Sequence, residues 1–187
     1  MGQKISPTSL RIGIIKDWAS RWFGGDKYTS YLKDDMAVRN FLEKRLRNMA
    51  VDRIEIERGT DQLTITIFTA RPGLIIGRGG SGIEELRVAV RRILRKRVTV
   101  RLEIKEVSNP EASAAIMSEA LAEQLERRVP FRRLMKQTLA KIVTSRDVKG
   151  AKIQLGGRLD GAEIARVEHL EEGSLPLQTL RADIDFA

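Results

Sequence analysis

From Tyr31 onwards, apolar side chains recur at three- and four-residue intervals: Tyr31, Leu32, Met36, Phe41, Leu42, Leu46 and Met49. That spacing predicts a helix over about 29–48. The period then changes to two. Ile54 and Ile56 alternate with Glu55 and Glu57, and after a Gly59-Thr60-Asp61 turn Leu63, Ile65 and Ile67 alternate with Thr64 and Thr66. Two such runs around a glycine turn predict a hairpin with one buried face. A short apolar piece, Leu74-Ile75-Ile76, runs into a glycine-rich loop, after which Ile83, Leu86, Val90, Ile93 and Leu94 line one face of a second long helix. Ser81 followed by Glu84 resembles a capping box at its start. Val98, Val100, Leu102 and Ile104 alternate with polar residues and predict a further one-sided strand. The order is helix, strand, strand, short helix, helix, strand.

The pattern breaks at Ser108-Asn109-Pro110, which reads as a linker. Helices are predicted over 111–126 and 130–144, the second with proline at its first position, where the missing N–H costs nothing. Strand-like runs at 148–155, 162–170 and 177–186 follow, separated by Gly156-Gly157 and Gly173-Ser174. Residues 1–26 carry Pro, Gly and Ser punctuation with two tryptophans and read as an extended arm. The fold class is therefore α+β in three parts: an arm over 1–27, a helix-strand-strand-helix-helix-strand domain over 28–107, and a second α+β domain over 108–187 with two helices packed on a small sheet.

Composition narrows the function. The 187 residues carry 34 Lys+Arg against 25 Asp+Glu, a net charge of +9, so a polyanionic partner is expected. Cysteine is absent and His169 is the single histidine, which excludes thiolate zinc sites and multi-histidine metal centres. The longest uncharged stretch, 62–70, is nine residues, against ~20 for a bilayer span. Met1-Gly2-Gln3-Lys4-Ile5-Ser6 fits the loose myristoylation pattern, but nothing nearby forms a second anchor, and neither a membrane partner nor an export signal is expected. A cytoplasmic protein is the default.

Charge is also unevenly placed. Residues 1–50 have a net +5 and 51–107 a net +4, whereas 108–187 are neutral. Within that neutral part, 127–152 hold nine bases (Arg127, Arg128, Arg132, Arg133, Lys136, Lys141, Arg146, Lys149 and Lys152) and one acid, Asp147. On a helical projection with Phe131 at 0°, Leu134, Met135, Thr138, Leu139 and Ile142 share its side, and Arg132, Lys136 and Arg133 fall at roughly 100°, 140° and 200°. Such a helix packs on its apolar stripe and turns three cations to solvent. Contact with nucleic-acid phosphates, without sequence preference, is the expected use.

Gly77-Arg78-Gly79-Gly80-Ser81-Gly82 satisfies the dinucleotide pattern G-x-G-x-x-G literally, with Glu103 near the spacing of a ribose-binding acid. Context rejects it. Pro72 and Gly73 interrupt the preceding strand, Glu103 sits mid-strand, and no further βαβ units follow. A P-loop is excluded because no Lys-Ser or Lys-Thr follows the glycines. Gly77-Arg78-Gly79-Gly80 is better read as a G-x-x-G clamp between two helices, where the backbone can approach a sugar–phosphate chain closely.

With that loop inside that element order, 28–107 resembles a type II K-homology RNA-binding domain. The resemblance extends further. Met1-Gly2-Gln3-Lys4, Trp18 with Trp22, Thr69-Ala70-Arg71-Pro72-Gly73, Gln124-Leu125-Glu126-Arg127-Arg128, Phe131-Arg132-Arg133, Gly161 to Arg166 and Thr179 to Asp185 together look like the bacterial-type S-three family, the third protein of the small ribosomal subunit. That resemblance implies a non-enzymatic protein of the subunit head, without cofactor, metal or small-molecule substrate. Its implied partners are small-subunit rRNA, mRNA along the path by which it enters the ribosome, and the tenth and fourteenth small-subunit proteins. It implies unwinding of structured mRNA at Arg132, Arg133 and Lys136, RNA contact at the glycine loop, and further nucleic-acid contacts at Lys4, Arg11, Arg71, Arg127 and Arg128. Members of the family usually continue past the equivalent of Asp185 with another strand region and a basic tail, whereas this chain stops at Ala187. Either the sheet is smaller here or the sequence ends early, and in both cases an unpaired edge beside 182–186 is the expectation. A free-standing K-homology RNA chaperone or regulator is the alternative.

The remaining residues are less specific. Arg87, Arg91 and Arg95 form an i,i+4 ladder that either faces RNA or is an ordinary solvated face. Trp18, Trp22 and Phe23 read as a small core pinning the arm rather than as base-stacking residues. His169 reads as structural, and Glu163, Glu168, Glu171 and Glu172 as solvated charge or contacts to basic proteins rather than a metal site.

Overall fold

The computed structural model describes residues 4–94 and 98–187. The elements are α1 (Pro7–Leu10), β1 (Ser20–Arg21), α2 (Tyr28–Arg45), β2 (Val51–Arg58), β3 (Gln62–Thr69), α3 (Pro72–Ile76), α4 (Ser81–Leu94), β4 (Thr99–Glu106), α5 (Ala114–Glu126), α6 (Phe131–Thr144), β5 (Gly150–Gly157) and β6 (Arg166–Gly173). The fold is α+β, as the patterning predicts. The chain forms two compact units, Trp18–Ser108 and a second in which the stretch up to Asp17 joins Asn109–Ala187. The arm is thus divided: its first part belongs with the C-terminal elements and its last residues with the glycine-loop unit.

In the unit Trp18–Ser108 the sheet order is β1-β2-β3-β4. β2 and β3 are antiparallel, with Ile54 opposite Ile67 and Ile56 opposite Ile65, and β4 lies parallel to β3. Period-two placement of isoleucine and leucine puts Ile54, Ile56, Leu63, Ile65, Ile67 and Val100 on one face, against Val38 and Leu42 of α2 and Leu86, Val90 and Leu94 of α4. Burying each such side chain contributes roughly 1.5–3 kcal/mol. Of the run at helical spacing, Leu42 and Leu46 are buried and Phe41 and Met49 pack on the core, whereas Leu32 and Met36 are 44 % and 52 % exposed; Asp35 and Val38 are buried beside Leu42. Asp35 is buried because it accepts from the Trp22 indole Nε1 (2.7 Å) and pairs with Arg58 (3.1 Å). Apolar residues on both sides of α2 obscure its period, so an acid with two partners defines the face.

The same contacts correct the aromatic cluster. Trp22 packs on Tyr28 and Tyr31 at centroid distances of 5.3 and 5.7 Å, and Phe23 is 94 % exposed. The pin includes Trp22 with two tyrosines of α2, while Phe23 is exposed. Arg39 reinforces it by donating to the carbonyls of Ile54 (2.7 Å) and Ala19 (2.8 Å). Burial lowers the pKa of this guanidinium, with Asp35 and Glu43 opposing the shift.

In the other unit, α5 and α6 pack together and α6 lies on the two-stranded antiparallel sheet β5-β6. Leu121, Phe131, Leu134, Met135, Leu139 and Ile153 form its core. Ser113 caps α5, its hydroxyl accepting from the Ile116 N–H (3.3 Å). Pro130 is the residue before α6 rather than its first, one place earlier than expected.

The third strand-like run, 177–186, is not a strand. Its carbonyls turn toward a single buried guanidinium: Arg11 donates to Leu177 (3.1 Å), Thr179 (3.0 Å), Ala182 (2.7 Å) and Pro7 (2.9 Å). Ile184 is buried, Asp183 pairs with Lys16 (2.9 Å) and Asp185 accepts from the Ala114 N–H (2.8 Å). The alternation that looked like a strand is a belt with one side chain inward and two carboxylates on partners.

Candidate nucleic-acid interface

The glycine loop connects α3 to α4. Gly77 ends α3 with φ +69°, and Gly79 (φ +61°) and Gly80 (φ +82°) also take positive φ, the region that side-chain-bearing residues disfavour. Gly82, inside α4, is required for a different reason: a Cβ there would overlap the carbonyl oxygen of Ile75. The loop therefore turns a helix end directly into a helix start. It leaves Gly77, Arg78 and Gly79 exposed, and Arg78 has no ion-pair partner among the described residues. Ser81 enters α4 instead of capping it, and Glu84 pairs with Arg87 at 2.6 Å. Of the expected ladder, Arg87 is thus engaged, Arg91 is exposed, and Arg95 lies outside the described residues.

On α6 the buried residues are Phe131, Leu134, Met135, Thr138 and Leu139, and Arg132, Arg133 and Lys136 are exposed together on the other side. Arg133 and Lys136 have no acidic partner among the described residues. Arg132 lies 3.7 Å from Glu168 of β6, which also stands 4.0 Å from Arg166. Sequence reading treats Glu168 as solvated charge or a contact to basic proteins and assigns Arg166 no site role, so this local pairing is what it lacks. The signal was present, since Leu170 packs against α6 and strand alternation puts Glu168 and Arg166 on the same side. On the opposite side, Lys152 donates to Glu171 at 2.9 Å, and this hydrogen bond holds the Glu171 carboxyl below the usual range.

The outlying candidates separate. Lys4 and Arg71 are exposed. Arg127 pairs with Glu123 one turn back in α5. Arg128 is exposed with no ion pair among the described residues, at φ +60°. Arg11 does not belong with them. It is fully buried and its guanidinium donates to four backbone carbonyls, so it holds the belt and is out of reach of a phosphate.

A glycine loop between helices beside an α/β core, followed by a unit with a basic helix, defines a two-domain RNA-binding protein. The family model described as "KH domain" matches residues 37–112, and that described as "Ribosomal protein S3, C-terminal domain" matches residues 121–187. Similar proteins include the small ribosomal subunit protein uS3 of Exiguobacterium sibiricum, 50 % identical across 100 % of this chain and 84 % of its own length. The uS3 of Caldicellulosiruptor saccharolyticus is 49 % identical across 100 % and 83 %, and that of Synechocystis sp. 49 % across 100 % and 78 %. The chain belongs to the uS3 family of small ribosomal subunit proteins.

Proposed function

We propose that this chain is a structural, RNA-binding constituent of the small ribosomal subunit whose α6 face contacts mRNA as it enters the ribosome. The ribosomal, RNA-binding and non-enzymatic part of this reading rests on family membership. The finer part rests on one observation: Arg132, Arg133 and Lys136 stand exposed on the side of α6 opposite its buried stripe, and two of them lack an acidic partner among the described residues. Cations so placed bind phosphates mainly by releasing counterions, with little sequence preference. Unwinding is then passive. The three side chains hold the phosphates of separated strands while translocation supplies the work. The glycine loop offers a second mode of contact, in which backbone approaches phosphate closely, and Lys4 and Arg71 lie exposed for rRNA. The head location and the tenth and fourteenth proteins as neighbours follow from the S-three resemblance.

Because all three side chains are exposed, Arg132→Ala with Arg133→Ala and Lys136→Ala leaves the fold intact. In a reconstituted ribosome this variant slows translation through stable mRNA hairpins and spares unstructured messages. Equal slowing of both message types would sink the mRNA role. With the isolated chain, the salt dependence of single-stranded RNA binding should flatten by about 2 log units per log unit, ~0.7 for each phosphate left without its cation.

A further inference from the structure

We infer that Glu168 of β6 tunes the α6 surface: it is a carboxylate shared by Arg132 and Arg166 that an RNA phosphate must displace, and Arg166 is thereby a fourth cation of that surface. Strand alternation puts Arg166, Glu168 and Leu170 on one side of β6 and Val167, His169 and Glu171 on the other. Leu170 packs into the core beneath α6, and so does Leu155, which stands directly opposite Glu168 in the β5-β6 register. An apolar residue at position 168 would extend that core, yet the position holds a carboxylate. Its Oε1 lies 3.7 Å from Arg132 of α6 and 4.0 Å from Arg166. Two cations from two elements therefore meet at one anion, while Arg133 and Lys136 have no acidic partner among the described residues.

A carboxylate accepts from a guanidinium in the way a phosphate oxygen does. Both separations exceed the ~2.7–2.9 Å of a tight charge-assisted bond, and the side chains of Arg132, Glu168 and Arg166 are 72 %, 36 % and 51 % exposed. Exposed pairs of this kind hold weakly. Glu168 thus keeps Arg132 and Arg166 together when no strand is bound and gives way when one arrives, at the cost of part of the affinity. A surface past which RNA moves gains from such a limit, because cations without a competitor would retain the strand. Glu171 supplies the contrast: it pairs with Lys152 at 2.9 Å on the side of the sheet away from Glu168.

This rests on the reading of α6 as RNA-facing, and one experiment separates the two. Full-chain Glu168→Gln, Arg166→Ala, Glu171→Gln and the α6 triple alanine variant are compared with the parent for melting temperature and for binding to single-stranded oligouridylate across a salt series. Glu168→Gln is expected to bind roughly fivefold more tightly at about 50 mM salt, with a salt slope steeper by ~0.7. Arg166→Ala should bind roughly fivefold more weakly, with a slope shallower by ~0.7. Glu171→Gln removes the same charge from the other side of the sheet and should stay within about twofold of the parent. Parental or weaker binding by Glu168→Gln overturns the inference, and so does its failure to fold, since the carboxylate would then be supporting the sheet. Equal tightening in Glu171→Gln overturns it too, because net charge alone would account for the gain. Parental affinity in Arg166→Ala removes Arg166 from the surface. If the triple variant loses affinity while Glu168→Gln stays at the parental value, only this inference falls. Parental affinity in the triple variant removes the α6 reading and this inference with it.

Discussion

Both units are rich in arginine and lysine and dispose of them in different ways. In the unit Trp18–Ser108 several guanidinium groups are tied to acids of the sheet or of α2: Arg53 to Asp52 (2.7 Å) and Glu55 (2.9 Å), Arg58 to Asp34 (3.2 Å) and Asp35 (3.1 Å), Arg101 to Glu103 (3.0 Å). Its distinctive surface is the glycine loop, for which contact through backbone is proposed. In residues 108–187 acids and bases cancel in number, yet on α6 Arg133 and Lys136 have no acidic partner among the described residues, whereas Arg132 lies near Glu168 (3.7 Å) and Lys141 near Glu111 (3.4 Å). What a ligand can use is set by which cations lack a partner in register and not by their count. Binding through backbone is blocked when a side chain is added, whereas binding through point charge is weakened when salt is added. The two units therefore fail under different perturbations.

The largest expected effect concerns the one cation whose assignment the structure reverses. Arg11→Ala removes a fully buried guanidinium and strands the carbonyls of Pro7, Leu177, Thr179 and Ala182. Loss of such a buried charged hydrogen-bond network costs about 3–5 kcal/mol. Urea unfolding should show that loss in the C-terminal unit, while RNA affinity measured under conditions where the variant is folded stays at the parental value. A parental unfolding midpoint with weakened RNA binding would return Arg11 to the interface.

Arg11 also shows what sequence can and cannot say about this molecule. Element types, the glycine loop and the exposed face of α6 were legible because each is a local property: a period of two or 3.6, a run of glycines, a stripe with cations opposite it. Nothing in the local sequence around Arg11 marks it for burial. Its burial depends on carbonyls more than 160 residues away in the chain. The run 177–186 was misread for the complementary reason. Ile184 flanked by Asp183 and Asp185 alternates as a strand does, but its carbonyls and carboxylates are taken up by Arg11, Lys16 and the start of α5. On α2 the periodicity locates Leu42 and Leu46, which are buried, but not Asp35, whose burial rests on its partners Trp22 and Arg58. The exposed cations of α6 needed no distant partner and so were readable.

A smaller effect tests the glycine-loop side of the comparison. Arg78 is the loop's one exposed cation, and Arg78→Ala removes a single potential phosphate contact. Affinity for single-stranded RNA should fall roughly fivefold at low salt, with the salt slope reduced by ~0.7, about a third of the change in the α6 triple variant. Gly79→Val instead places a branched residue at φ +61° and should destabilise the unit Trp18–Ser108 by about 1–2 kcal/mol, without altering the slope contributed by α6. Salt titration and unfolding thus assign each loss to charge or to backbone. An Arg78→Ala slope equal to the parent's would leave the loop without a charge contact to RNA.

The smallest effect lies within the C-terminal unit, where paired and unpaired cations stand on neighbouring elements. The Lys152 hydrogen bond and charge lower the Glu171 pKa from its ordinary 4.5. A carboxyl more acidic in the folded state contributes stability above its unfolded pKa, and that contribution disappears as pH falls through the lowered folded value. The relevant window is therefore below about 4.5 and not near neutrality. The pair is exposed, so salt screens it strongly. Glu171→Gln should melt slightly below the parent at pH 6 in low salt, and the gap should close both on acidification and on adding salt. RNA binding through α6 should change less than in the α6 triple variant, because Lys152 lies on the strand face away from Glu168 and Arg132. A gap that persists at low pH would mean that Glu171 supports the sheet by packing and not by charge, and the contrast between paired strand cations and free helix cations would lose its electrostatic basis.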